Sequence, residues 1–173
     1  MTDWQGVLER LNHLYREVDH DAVKLENTHG DRLKCGRGCC DCCVDELTVF
    51  EVEAENIRQS VQDVLAGDPG DLGKCAFLNG EGACRIYSVR PYVCRTQGLP
   101  LRWFDVDEQG NDVELRDICP LNEEGTPLEI LSADACWELG NYEGRLAMLQ
   151  SEVGDGEMKR VVLRDLFEEK GDG

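Results

Sequence analysis

Five of the ten cysteines fall inside nine residues, CGRGCCDCC, from Cys35 to Cys43. Thiolates are soft, anionic ligands, and so many in one loop repel each other unless a cation shared by several of them offsets the charge. The stretch is therefore read as a metal or iron–sulfur site. Cys75, Cys84, Cys94, Cys119 and Cys136 follow at wider intervals, mostly in loop-like contexts, so the fold is expected to return to the cluster more than once.

The length of 173 residues suits one domain with its own core, and residues 1–173 are expected to form a single metal-stapled domain. Against 36 acidic residues stand 18 basic ones, a formal charge of −18. That balance repels nucleic acid and anionic membrane surfaces, and counts against a DNA-binding zinc module. No apolar run is long enough to span a bilayer, and the N-terminal stretch MTDWQGVLERLNHLYREVDHDAVKL alternates charge with hydrophobe where a signal peptide would be unbroken. A cytosolic, bacterial protein is expected. A reducing cytosol disfavours disulfides and moves the thiols toward metal ligation or redox chemistry.

Trp4, Leu8, Leu11, Tyr15, Val18, Ala22 and Leu25 recur every three or four residues and predict a first helix, with Thr2 and Gln5 as a capping box. A coiled-coil stripe would look similar, but three heptads in a small domain usually pack on their own core. Thr48 and Glu51 suggest a second capping box, opening a helix that buries Phe50, Ala54, Ile57, Val61 and Val64. AGDPGDLGK ends it. From Cys75 to Cys119 the helical period is lost, and residues 66–130 must rely on ligand closure. LRWFDVDEQGNDVELR predicts a hairpin. A third helix is expected from Ser132, with Leu139, Tyr142, Leu146, Leu149 and Val153 on one face, and a shorter fourth from Met158 to Lys170. The expected class is thus mainly α, with an irregular cysteine-rich centre and a small β-hairpin.

Within the cluster, Cys39 and Cys42 are spaced CxxC, which lets two thiolates converge on one ion while turn N–H groups point at the sulfurs. Gly36 and Gly38 allow so tight a turn. Adjacent Cys42 and Cys43 project differently and need not bind the same ion. Farther on, Arg90 and Arg95 flank Cys94, and guanidinium groups there would offset the negative charge of a four-thiolate site and bond to its sulfurs. The blander readings are that some cysteines are buried small hydrophobes or form structural disulfides, neither of which needs this spacing. For Cys136, beside Trp137, core and ligand roles stand equal. His29 could be a ligand, although a lone histidine is more often just solvated, while His13 and His20 belong to the first helix. No HExxH, Walker loop, GxSxG or GxGxxG occurs, and the acidic pairs read as solvated faces.

These residues together resemble the bacterial YkgJ-type cysteine-cluster family, of the CxxCxxCC type, described as a zinc- or iron-chelating domain. The resemblance rests on Cys35, Cys39, Cys42 and Cys43, on Leu47, Thr48 and Glu51, and on a pattern met by Cys75, Phe77, Leu78, Gly82, Cys84, Ile86, Tyr87, Arg90, Pro91, Cys94 and Arg95. It covers residues 35–95. Three departures concern the ligand set: Cys40 is an extra cysteine, Ala76 replaces a usual proline, and Cys35 lies one residue farther from Cys39 than the commoner spacing. The resemblance implies chelation of zinc or iron, and similar modules occur in flagellin lysine methylases, where an iron–sulfur cluster is the expected cofactor.

The reading is a metal-binding protein holding an iron–sulfur cluster or zinc, with Cys35, Cys39, Cys42, Cys43, Cys75, Cys84 and Cys94 as ligands and Cys119 and Cys136 as further candidates. Arg90 and Arg95 are expected beside the cofactor. Two alternatives stay open: an iron–sulfur-dependent redox or protein-modifying enzyme, and a metal carrier whose acidic surface docks on a basic partner protein. Neither nucleic acid nor membrane is an expected partner.

Overall fold

The computed structural model of the chain describes residues 3–154 and 156–168. Thr2, half of the first expected capping box, and residues 169–170 of the expected fourth helix lie outside them. In chain order the elements are α1 (Trp4–His29), β1 (Thr48–Phe50), α2 (Glu51–Ser60), α3 (Gln62–Ala66), α4 (Tyr92–Arg95), β2 (Leu101–Val106), β3 (Asp112–Asp117), β4 (Trp137–Glu138), α5 (Asn141–Val153) and β5 (Arg160–Val162). Short 3-10 turns lie between them. The described chain is mainly helical with a small β part, as expected. None of its helices is long and apolar enough to cross a membrane.

The α1 stripe forms as the spacing predicts: Leu8, Leu11, Tyr15, Val18, Ala22 and Leu25 are all buried. The expected hairpin is also present, with Leu101 opposite Asp117 and Val106 opposite Asp112.

Three boundaries differ. The second helix starts at Glu51 rather than at a Thr48 cap. Thr48, Val49 and Phe50 are β-branched or aromatic and find backbone partners in Val162, Val161 and Arg160, while the Thr48 hydroxyl accepts from Arg160 Nε at 2.9 Å. Phe50 has no side-chain acceptor to offer as a cap. Only the return bond of a capping box is made, from Phe50 N–H to the Glu53 carboxylate at 3.3 Å.

The third helix begins at Asn141, not Ser132. Trp137 and Glu138 instead lie parallel to Leu101 and Arg102, and Leu139 N–H donates to Arg102 C=O at 2.9 Å. Gly140, at φ +122°, then redirects the chain. In place of a fourth helix stand β5, drawn into pairing by β1, and a 3-10 turn over Leu163–Phe167.

The described residues fall into two compact units. One takes its residues from 3–13, 36–91 and 146–168. Its core collects Val49, Ala54, Ile57, Phe77, Ile86, Leu163, Leu166 and Phe167, with the Phe77 and Phe167 rings 4.9 Å apart. Each fully buried large apolar side chain of this kind contributes about 1.5–3 kcal/mol over an exposed one. Gln150 is buried here with both ends satisfied, accepting from Val52 N–H at 3.0 Å and donating to Glu157 C=O at 3.1 Å.

The other unit comprises 14–35 and 92–145, with a sheet ordered β3-β2-β4. Trp137 Nε1 donates to the Tyr92 hydroxyl at 2.9 Å, which donates to Glu143 at 2.6 Å. Trp137 also stacks on Tyr142, with ring centres 5.3 Å apart.

Candidate metal centre

Residues 36–43 form two successive hydrogen-bonded turns. Cys39 N–H donates to Gly36 C=O at 3.0 Å, and Cys43 N–H donates to Cys40 C=O at 2.9 Å. Gly38, third in the first turn, has φ +88°, a conformation that glycine adopts without steric cost. The 75–85 segment closes against these turns within the same unit. Cys75 N–H donates to Cys43 C=O at 2.9 Å, Arg85 N–H donates to Phe77 C=O at 2.9 Å, and Cys84 pairs with Leu78. A side chain at Gly82, φ +74°, would meet Gly38 C=O and Cys40 Sγ at 3.4 and 3.7 Å.

Cys40, Cys43 and Cys84 therefore border the apolar cluster that contains Cys75. The structure brings Cys40, Cys43, Cys75 and Cys84 to one apolar cluster, while Cys39 and Cys42 lie on the same loop as Cys40 and Cys43. Cys40, left out of the expected ligand set, stands among them.

Electrostatics divides these thiols. The Cys42 thiol is drawn down to about 6, chiefly by a hydrogen bond from Cys43, and Cys42 is exposed. Burial pushes Cys75 and Cys84 above the usual thiol range. Arg164 opposes the rise at Cys75, and Arg90 and Arg85 oppose it at Cys84. Arg90 thus acts on a cysteine through its charge, although its Nη1 donates to Tyr87 C=O at 3.1 Å and its guanidinium lies 4.0 Å over the Tyr87 ring.

Arg164 organises the approach to Cys75. It donates to Asp45 and to the carbonyls of Gly70, Asp71 and Lys74, the last three at 3.0, 2.9 and 2.9 Å. Asp45 also accepts from Gly73 N–H at 2.8 Å. A side chain 90 residues beyond Lys74 thereby shapes the loop before Cys75, and nothing in the linear pattern signals it.

Cys35, Cys94, Cys119 and Cys136 lie in the other unit. Cys119 follows Asp117, which faces Leu101, and Cys136 precedes Trp137, which faces Leu101 from the opposite side. The register thus puts both at one end of the sheet. Cys94 lies on α4, half-buried. Cys35 Sγ accepts from Asn122 Nδ2 at 3.4 Å. Cys136 is buried, and burial raises its thiol against the pull of Arg116 and Arg102. His29 Nε2 sits 2.7 Å from Ala135 C=O. The buried Arg95 donates to Asp19 at 2.6 Å and lies 4.0 Å over the Tyr15 ring.

All ten cysteines are among the described residues, and none is in a disulfide. Among the described residues no three Cys, His, Asp or Glu side chains stand close enough to hold a metal ion as they are. The donors fit zinc or iron by chemistry, being soft thiols on short loops with guanidinium charge nearby.

A family model described as CxxCxxCC, "Putative zinc- or iron-chelating domain", matches residues 34–120. No curated protein and no solved structure matches the chain.

Proposed function

From the premise that this chain belongs to the CxxCxxCC family, we propose that it is a cytosolic metal-binding protein that holds zinc or an iron–sulfur cluster through cysteine thiolates. The observation that carries this reading is the meeting of the two cysteine-bearing loops 36–43 and 75–85 at the Cys75 N–H to Cys43 C=O bond, with Cys40, Cys43, Cys75 and Cys84 in or against one apolar cluster. Cys39, Cys42, Cys43, Cys75 and Cys84 would supply the ligands on these loops, with Cys40 in reserve. Cys35, Cys94, Cys119 and Cys136, which belong to the other unit, would be a second set of donors. A bound zinc ion would close loops, and a bound cluster would add one-electron chemistry.

The protein's own groups prepare for binding. Cys42 sheds its proton near pH 6 and offers an exposed thiolate at neutral pH. Cys75 and Cys84 keep theirs and must release them on ligation, which the charges of Arg164, Arg85 and Arg90 assist.

The exposure of Cys42 favours a second reading, a carrier that hands its metal to a partner. With a formal charge of −18, the chain would suit a basic protein.

Elemental analysis and an absorption spectrum of anaerobically purified protein test the first reading. Iron with sulfide-to-iron bands, or zinc without them, supports it. Less than about a tenth of an equivalent of either metal rejects it, since thiolate sites retain their ion. Transfer of the metal to an immobilised basic acceptor at low salt, abolished by Cys42→Ser, would support the carrier reading.

A further inference from the structure

We propose that Asn122 and Gly98 form a seat that positions the Cys35 sulfur for the metal, an inference that rests on the chelation reading above. Neither residue is singled out by the sequence pattern, and Gly98 lies outside every motif quoted for the family resemblance.

Asn122 is fully buried, at 0 % exposure. An amide group buried without a partner is destabilising, so its hydrogen bonds identify what it is for. Its Oδ1 accepts from Lys34 N–H at 2.8 Å. Its Nδ2 donates to Gly98 C=O at 2.8 Å and to Cys35 Sγ at 3.4 Å. One planar group thus grips two consecutive residues, the backbone of Lys34 and the sulfur of Cys35, and is anchored to a third segment through Gly98.

Gly98 completes the seat from the other side. Its φ of +89° is left-handed, and a Cβ there would overlap Cys35 Sγ and come within 3.2 Å of Asn122 Nδ2. Glycine is required for backbone and for space alike. The neighbouring turn is itself fixed. Asn122 N–H donates to Cys119 C=O at 2.8 Å, and Arg32 donates to Asn122 C=O at 2.7 Å and to Thr126 C=O at 2.8 Å. Cys35 remains exposed, so the seat aims the sulfur without sealing it from an arriving ion. A donor bonded to a ligand atom fixes the direction in which that atom meets the metal. Asn122 is therefore a positioning residue that acts through Cys35.

The experiment compares the full-length chain with Asn122→Asp, Cys35→Ser, the double variant and Gly98→Ala, each loaded with zinc alone or with ferrous iron and sulfide. It reads loss of metal to a chelator, together with thermal unfolding of the metal-free proteins. The aspartate substitution keeps the acceptor for Lys34 N–H but loses the donor to the sulfur and to Gly98 C=O. The expected result is metal loss about tenfold to a hundredfold faster in Asn122→Asp, a similar change in Cys35→Ser, and no further change in the double variant.

A merely structural asparagine would give additive effects in that cycle and would lower metal-free stability in proportion, and this outcome overturns the proposal. Should Asn122→Asp fail to fold, Gly98→Ala decides: its amide is intact, so metal loss at the Cys35→Ser rate supports the seat and wild-type retention overturns it. Wild-type protein that holds metal while Asn122→Asp holds it equally well removes the seat alone. Wild-type protein that holds neither zinc nor iron removes the chelation reading and the seat with it.

Discussion

In α1 a buried residue recurs every three or four positions, from Leu8 through Leu11, Tyr15, Val18 and Ala22 to Leu25, whereas between Gly67 and Arg85 burial is confined to Cys75–Leu78. The helix is ordered by water exclusion along a periodic face. The loops are ordered by side chains that reach their backbone. Arg164 takes three carbonyls between Gly70 and Lys74, Asn79 Oδ1 accepts from Glu81 and Ala83 N–H, and Arg85 donates to Ala76 C=O at 2.7 Å. Hydrophobic burial is insensitive to metal and to modest pH change. A loop held by a few charged donors is sensitive to pH and, on the chelation reading, to metal as well.

Stripping the metal is the strongest way to separate the two regions. Amide hydrogen exchange should quicken on the order of a thousandfold across 67–85 while α1 keeps its protection. Uniform loss, or none, would break the comparison. The hairpin, although it falls in the stretch expected from sequence to depend on ligands, should hold better than 67–85 because β2 and β3 pair over six residues each.

Leu11→Ala attacks the other side. Leu11 is fully buried, and the truncation should cost about 2–5 kcal/mol, equally with and without metal, in urea titrations. A cost that depended on metal would show that the helix and the centre fold as one.

Arg164→Met should cost less, about 2 kcal/mol, since it removes charge-assisted bonds to three carbonyls and Asp45. Faster exchange should be confined to 70–74, and metal should be lost more readily because the approach to Cys75 loosens. An unchanged exchange profile in that loop would remove Arg164 from the account.

The smallest effect is expected from acid, because Cys42 is exposed and solvent screens much of what its shift would otherwise contribute. The Cys42 thiol, drawn down to about 6 in the folded chain from an ordinary value near 9, stabilises the metal-free protein fully above pH 9, and that contribution is lost as pH falls through 6. The deficit of Cys42→Ser should accordingly shrink from pH 9 to pH 6. Iodoacetamide labelling of Cys42, followed by mass spectrometry, should be half-maximal near pH 6, well before Cys75 and Cys84 react, whose thiols burial raises. Coincident labelling of all three would contradict the division drawn between them.

Much of the local structure around the cysteines was legible in the chain because it depends on near neighbours. The turns around Gly36 and Gly38, the end of the helical period at AGDPGDLGK and the hairpin each follow from neighbouring residues. The misplaced boundaries share one cause. Thr48, Trp137 and Arg160 all start strands whose partners lie far away in sequence, and distant backbone pairing overrides local helical preference. Asn122 and Arg164 follow from no local pattern for a related reason: each shows only as a lone polar side chain in the sequence, and each gains its meaning from atoms 24 to 119 positions away.

The sequence by itself determined that thiols would crowd into one loop and that α1 would bury one face, because spacing and periodicity carry these directly, and the motifs of residues 35–95 carried the resemblance to a zinc- or iron-chelating family. Only the tertiary structure decided that Cys39 to Cys84 fall in one unit while Cys35, Cys94, Cys119 and Cys136 fall in another, and that Asn122 donates to the Cys35 sulfur beside Gly98. Side-chain hydrogen bonds and excluded volume act between atoms near in space, and the fold chooses which atoms those are.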